Sequence, residues 1–317
     1  MTWVTWRQYR FQSALAVGLL AAVGVVLLIS GLHAAWVWHS ALAACTKGNS
    51  CGNLGNLSLG YPICTTLVVA TSAVPLLPGL FWGAPLVAGE LETGTNQFAW
   101  TQSITKQRWL AVKAGWLLLA AAVLAGAISA IVTWWSGPYN ALLADGFDAN
   151  RFDVTDIVPV SYALFAMALG ICAGLVLRRA IPAMAVTLAG FAGVRVLISQ
   201  LLRPHYMTPV TVYYNLAGNW SPTGPYLGVS QGIAGPNGQS PPAVSSGTIF
   251  NGISVPAECA RSSNIAACLA SHGYRGYLSY QPGNRFWAFQ GIETGIYVVL
   301  AAALLGIAFW MLKRRDA

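Results

Sequence analysis

Charged residues are scarce in this chain: Asp, Glu, Lys and Arg make up 8% of its 317 residues, whereas hydrophobic residues make up 56%. Soluble domains carry about 25% charged residues, so the composition excludes an ordinary soluble protein. Several apolar stretches are long enough to cross a bilayer, which takes about 20 residues per helix. We therefore expect an all-α integral membrane protein.

Motifs for nucleotide, metal or acyl chemistry are missing as well. The chain has no G-x-x-x-x-G-K-[ST] phosphate loop, no H-E-x-x-H pair and no G-x-S-x-G elbow. Its four histidines are scattered, and none stands at zinc spacing with cysteines. We expect no catalytic residue, no metal site and no cofactor in this chain. The net charge of +8 is explained by membrane orientation, so nucleic acid is not an expected partner.

The apolar pattern predicts six transmembrane helices in one domain that covers residues 1–317. The second span contains Pro75 and Pro78, which predict a kink. The aromatic and basic start of the chain fits either a helix lying in the membrane interface or an ordinary flank of the first span. The predicted spans are residues 13–34, 63–87, 111–135, 158–177, 180–202 and 286–312.

Lysine and arginine are concentrated on the face that holds both termini and residues 89–113. This excess marks the cytoplasmic side of a plasma (inner) membrane. The largest polar insertion, residues 204–285, then lies outside the cell and reads as a loop-rich subdomain.

Cysteines fall in two of the outer loops, where disulfides are favoured by oxidising conditions. Cys45 and Cys51 lie in the first loop, and Cys259 and Cys268 in the last. The second pair is the better candidate, because a short helix from Asn264 to His272, ended by Gly273, would hold Cys268. Four free thiols are the alternative.

Two charges stand inside apolar spans: Arg195 in the fifth and Glu293 in the sixth. Charged groups in a membrane are costly and usually paired. Each lies eight residues from the outer end of its span, so an Arg195–Glu293 ion pair is expected. Such a pair would either fix the packing of the two helices or form part of a substrate route or gate.

Residues 89–113 place two carboxylates, three cations and two tryptophans between the second and third spans. The positive-inside rule alone explains the cations but not Glu90 and Glu92. Thr101, Ser103 or Thr105 can each cap a helix that leads into the third span. We read the segment as a docking surface.

Several stretches resemble the permease subunits of type-2 ABC exporters, particularly those of actinobacteria. The similar stretches are Pro85-Leu-Val-Ala-Gly-Glu-Leu-Glu-Thr-Gly-Thr95, Ala99-Trp-Thr-Gln-Ser103, Arg108-Trp-Leu-Ala-Val-Lys113, Leu202-Arg-Pro-His-Tyr206 and Tyr280-Gln-Pro-Gly-Asn-Arg-Phe-Trp-Ala-Phe-Gln-Gly-Ile-Glu293. One departure is Gly89, where relatives often have arginine.

The resemblance implies a permease that docks a separate ATPase subunit, on which ATP and Mg²⁺ are bound. Two permeases, most simply a homodimer in the lipid membrane, and two ATPases would form the working exporter, with the substrate path between the permeases. Apart from the resemblance, apolar spans with few internal charges favour a lipophilic, amphipathic or multidrug-type cargo without excluding peptides. The residues that the resemblance assigns to ATPase docking are Glu90, Glu92, Gly94, Thr95, Thr101, Gln102, Ser103 and Arg108.

Two other functions remain open at this stage. One is a receptor or immunity protein that senses a ligand through its outer loop without transport. The other is a membrane-embedded enzyme, which would need a convergent set of acids, bases or metal ligands in the outer loops.

Overall fold

The structure, a computed structural model, describes residues 18, 21–22, 24–33, 35–36, 39–40, 69–93, 105–143, 147, 149–218, 220–235, 249–250, 253–254, 257–260 and 262–314. Within these residues, five helices are long and apolar enough to cross a membrane. They are Val69–Gly89, Gln107–Gly137, Val158–Leu177, Ala180–His205 and Gly283–Arg314. The first predicted span is represented by a shorter apolar helix, α1 (Gly24–His33).

The second span is not a regular helix. A 3₁₀ turn (Val74–Leu76) contains Pro75, a π turn (Gly79–Gly83) follows Pro78, and α2 (Ala84–Thr93) completes the span. Proline has no N–H to donate and crowds the preceding turn, which explains why both irregular segments lie here. The two prolines predict a kink or a break in this span, and the departure from a regular helix at this place confirms the interruption.

The helices after α2 are longer than the apolar pattern suggests at some ends. They are α3 (Lys106–Leu143), the short α4 (Ala149–Phe152), α5 (Val158–Leu177), α6 (Ala180–Leu197) and, after the polar insertion, α9 (Phe286–Arg314). A π turn (Ile198–Leu202) and a 3₁₀ turn (Arg203–His205) extend α6.

Helix α5 is the centre of the bundle. It is the most buried of the five spans and packs against the second span, α3, α6 and α9. Pro159 stands in its first turn, where a missing N–H costs nothing. The helix ends at Arg178, which adopts a left-handed conformation (φ 54°) and turns the chain directly into α6.

The second span and α5 approach each other through paired glycines. Gly79 and Gly83 stand four residues apart on one helix, and Gly170 and Gly174 do so on the other. A Cβ built on Gly170 would lie 2.4 Å from the Gly79 carbonyl oxygen. Small residues at this spacing allow transmembrane helices to pack backbone against backbone. Lipid tails cannot provide van der Waals contacts as close as these.

The insertion between α6 and α9 contains a β-sheet. The sequence predicts only a loop-rich segment here, and this prediction misses the strands. Strand β5 (Arg275–Pro282) lies between β1 (Val210–Asn215) and β2 (Tyr226–Ala234), and both pairings are antiparallel. Two shorter strands, β3 (Ile249–Phe250) and β4 (Ile253–Ser254), pair with each other, and α7 (Ala257–Ala260) and α8 (Ile265–Ser271) follow. The apolar runs of β2 and β5 are short and interrupted by Gly, Ser or Pro, which conceals them in the sequence, whereas β1 is short but has no such interruption.

The bundle thus has two polar ends, which we call the sheet end and the coupling end. The sheet end carries the insertion, and an aromatic core below it includes Phe147, Phe152, Tyr162 and Phe289. The coupling end carries the helix ends that flank residues 94–104, and a second core there joins Trp82, Trp109, Met167 and Leu312, among others. Trp109 is therefore buried within the protein.

Gly170→Ala should destabilise the bundle by about 1–3 kcal/mol, because its methyl group would collide with the backbone of the second span. Thermal unfolding in detergent measures the effect. The control is Gly193→Ala in α6, where a Cβ meets nothing within 4 Å. Equal melting temperatures for the two variants would contradict the close helix contact.

Candidate functional site

A cluster of four charged side chains, two of them buried and two partly buried, lies at the sheet end of the bundle. It consists of Asp153, Arg195, Arg203 and Glu293, and we call it the charge cluster. Both arginines belong to the fifth span. Eight residues apart on a regular α-helix, they would point roughly 80° away from each other. The π turn between them winds less per residue than an α-helix, which turns Arg203 back toward the side of Arg195.

Arg203 and Glu293 form the core of the charge cluster. Nε of Arg203 donates to Oε2 of Glu293 at 2.9 Å, and Nη2 donates to Oε1 at 2.7 Å. The two residues are 2% and 0% exposed. This two-pronged geometry is the strongest form of an arginine–carboxylate contact, and it joins the end of the fifth span to α9.

Asp153 connects the two arginines. Its Oδ1 accepts from Nη2 of Arg203, and its Oδ2 accepts from Nη2 of Arg195 at 2.9 Å. The Tyr162 hydroxyl, on α5, donates to Glu293 and lies 3.1 Å from Oδ1 of Asp153. Residues from the turn before α5, from α5, from the fifth span and from α9 therefore meet at one point.

The prediction that Arg195 pairs with Glu293 is wrong, because each of the two residues has a different partner. Arg195 donates to Asp153 and to the Ser72 carbonyl oxygen, the latter at 2.6 Å. Glu293 is instead held by Arg203. The physical reason is the π turn, which brings Arg203 inward, together with Asp153, which lies between the arginines.

The turn that carries Asp153 is fixed by a buried glutamine. Gln290, fully buried on α9, donates to the Phe152 and Thr155 carbonyl oxygens and accepts from the Val158 N–H. Asp156, in the same turn, has a φ of 59°, a conformation that aspartate tolerates better than most residues. Helix α3 holds Asp156 through Ser129 and Thr133.

The charges in the cluster balance: two carboxylates face two guanidinium groups, and all four carboxylate oxygens accept hydrogen bonds. Oε2 of Glu293 is also 3.3 Å from the Tyr206 hydroxyl. Burial, and then the charge of Glu293, raises the pKa of Tyr206 well above its ordinary value, so this phenol stays protonated as a donor. Groups so fully engaged hold helices together and are poorly suited to acid–base catalysis.

At the coupling end, only part of the predicted docking set lies within the described residues. Glu90 and Glu92 stand on the last turn of α2, and Oε2 of exposed Glu92 accepts from the Ala180 N–H at 3.2 Å. Arg108 is exposed in the first turn of α3. Its backbone N–H donates to Oγ1 of Thr105 at 3.4 Å, which is consistent with Thr105 as the N-cap of this helix. Gly94, Thr95, Thr101, Gln102 and Ser103 lie outside the described residues.

The insertion brings Cys259 and Cys268 together as a disulfide, with Cα atoms 5.5 Å apart. Asn264 caps α8 by accepting from the Ala267 N–H, as the sequence predicts, and this helix carries Cys268. The ligand atoms of His272 and both cysteines lie within 4.8 Å of one another. This grouping could hold a metal ion only after reduction, because the disulfide occupies both sulfurs. Cys45 and Cys51 lie outside the described residues.

Sequence reasoning missed four contributors to the charge cluster: Asp153, Tyr162, Arg203 and Gln290. Gln290 had a usable signal, because it stands three residues before Glu293 in an apolar span, on the same helix face. Asp153 and Arg203 had none, since each appears at the end of an apolar stretch, where charged residues are ordinary.

Breaking the Arg203–Glu293 pair should cost about 3–5 kcal/mol, because the remaining charge stays buried without its partner. We expect Arg203→Met and Glu293→Gln each to lower the melting temperature strongly and the double variant to lose little more. Arg195→Met combined with Glu293→Gln should be closer to additive. Arg275→Ala, at an exposed strand position, is the control, and additive losses for the first pair would contradict direct pairing.

The pKa of His272 is raised above its ordinary 6.5, first by its hydrogen bond to the Cys268 carbonyl and then by that to Glu258. These two hydrogen bonds therefore stabilise the insertion fully below about pH 6.5, and their contribution is lost as the pH rises through the folded-state pKa of His272. We expect Glu258→Gln to weaken the pH dependence of melting between about pH 6 and pH 8. An unchanged pH dependence in this variant would contradict the assignment.

The comparisons with known proteins agree with this architecture. The family described as "ABC-2 membrane transporter related" matches residues 17–203, which include the second to fourth spans, most of the fifth, Glu92, Asp153 and both cluster arginines. No curated protein and no solved structure matches the chain. The match covers more than half of the chain and includes its helical bundle except for α9. The protein therefore belongs to the ABC-2 membrane transporter related family and is a permease component of an ABC transporter.

Proposed function

We propose that this chain is the transmembrane subunit of an ATP-driven exporter and that it docks a separate ATPase through residues 89–113. The ATPase subunit carries ATP and Mg²⁺, and the permease provides the path for cargo. The family assignment supports the general role, since a permease component needs a motor and this chain has no phosphate loop.

The observation that carries the docking proposal is the construction of the coupling end. Helix α2 continues past the apolar span to Thr93, and α3 begins at Lys106. Both helices are anchored in the core, α2 through Leu86 and Val87 and α3 through Leu110. A segment held between two such helices can pass a displacement to the bundle, which a loosely tethered loop cannot.

The logic of transport is then thermodynamic linkage. ATP favours one arrangement of the ATPase pair, and the docked segments move with it. The permease shifts between inward-facing and outward-facing states only as far as these contacts differ between the states. ATP hydrolysis returns the complex to the starting state.

The finer features of the exporter are part of the same proposal. Two copies of this chain, as a homodimer, and two ATPase subunits form the complex in the plasma membrane, with both termini and the coupling end in the cytoplasm. The positive residues on that face support the orientation. Apolar spans with few charges favour a lipophilic or amphipathic cargo.

The geometry of the sheet end argues against a membrane-embedded enzyme. The carboxylates of the charge cluster are neutralised by arginines, and within the described part of the chain the disulfide engages the sulfurs of the one potential metal-ligand group. One measurement distinguishes a receptor or immunity protein from an exporter: a receptor or immunity protein would move no cargo while the partner ATPase hydrolyses ATP.

Replacing Thr101, Gln102 and Ser103 together by alanine should weaken copurification with the partner ABC ATPase, by about tenfold or more, and reduce transport in proportion. The control is the double variant Ser221→Ala, Thr223→Ala at exposed positions of the insertion. Measurements are copurification and cargo efflux from vesicles. Full ATPase binding and full efflux by the triple variant would contradict docking through this segment.

A further inference from the structure

Helix α6 is packed on one face only, against α5 and the second span. Of its 18 residues, only Ala183, Thr187 and Phe191 are buried. Apolar side chains such as Ile181 and Val196 are exposed by 81% and 60% on the surface of the single chain. Because this exposed side makes no contacts within the chain, the position of α6 depends on its one packed face and on its attachments at the two ends.

At the coupling end, α6 is attached through Glu92. Its N-cap residue, Arg179, makes no side-chain capping bond. The carboxylate of Glu92, from the last turn of α2, supplies the acceptor and binds the Ala180 N–H. A negative group is also favoured at the positive end of a helix dipole. The start of α6 is thus bonded to the segment that leads to the proposed docking surface.

Helix α2 is a stiff support for this contact. A Cβ on Gly174 would lie 2.6 Å from the Ala84 carbonyl oxygen and 3.3 Å from the Ala88 nitrogen. Ala84 and Ala88 are fully buried, as is Ala183 of α6, which packs in the same small cluster. The first half of α2 therefore lies in direct contact with α5 and α6 and cannot shift without disturbing them.

At the sheet end, the same span carries Arg195 and Arg203 into the charge cluster. One continuous helical segment, from Ala180 to His205, connects Glu92 to Asp153 and Glu293. Because only one side of this segment is packed against the bundle, the polar contacts at its ends contribute strongly to where it lies.

We propose that Glu92 is a positioning residue that transmits movement of the coupling segment to α6, and through Arg195 and Arg203 to the charge cluster. This assignment rests on the proposed function, and it gives Glu92 a role within the permease instead of direct contact with the ATPase. Glutamine can accept the same hydrogen bond, whereas alanine cannot.

The test uses the complete permease–ATPase complex in three forms: wild type, Glu92→Ala and Glu92→Gln. The first readout is hydrogen exchange of the Ala180 amide, which should be about fivefold faster in Glu92→Ala, corresponding to the ~1 kcal/mol lost with a helix-capping acceptor. The second readout is the change in exchange at the Tyr206 amide, which bonds the Arg203 carbonyl, when the ATPase is trapped with ATP and vanadate. Copurification and efflux complete the set.

We expect Glu92→Ala to bind the ATPase normally, to lose most efflux and to lose the ATP-dependent change at Tyr206. Glu92→Gln should restore both. Glu258→Ala, another exposed glutamate with a hydrogen bond, at the sheet end, serves as the matched control and should leave these readouts unchanged.

Two results would overturn the assignment while leaving the exporter in place. Loss of copurification in Glu92→Ala would make Glu92 a docking residue, and normal efflux together with unchanged Ala180 exchange would remove any role for it. If wild type itself does not bind the ATPase, the proposed function fails, and the transmission role fails with it.

Discussion

The two-pronged contact between Arg203 and Glu293 is the interaction on which the sheet end of this bundle depends. A buried charge is tolerated only when a partner and further hydrogen bonds replace the lost water. Glu293 has both, and Asp153 satisfies the rest of Arg203 and holds Arg195. Because these groups come from different helices and from the turn before α5, satisfying the charges also fixes the helices relative to one another.

Close backbone packing performs the corresponding task deeper in the bundle. The glycine pairs of the second span and α5 allow a contact that no larger residue permits. Neither this contact nor the charge cluster relies on excluding water from apolar surface. This is what a membrane protein requires, since lipid is as apolar as the side chains that it would replace.

Membership of the ABC-2 membrane transporter related family gives these features a common context. A permease component has to remain intact while parts of it move. The central helix α5 packs closely against its neighbours through glycines and through the Tyr162 side chain. It is therefore suited to keep its position while other helices move. Helix α6 is packed on one side only, and it is bonded at one end to Glu92 and at the other to the charge cluster. Its position is therefore suited to respond to changes in these two end contacts.

The sequence by itself determined the membrane class, the approximate position of five of the six predicted spans, the irregularity at Pro75 and Pro78, the short helix that carries Cys268 and the family resemblance. These follow from local composition, spacing and backbone chemistry, which one stretch of chain contains in full. Tertiary structure alone decided the partner of Glu293, the strands of the insertion and the attachment of Glu92 to α6. A π turn of a few residues rotates a side chain to a different helix face, and a partner more than 80 residues away is chosen by packing, so no local pattern encodes either.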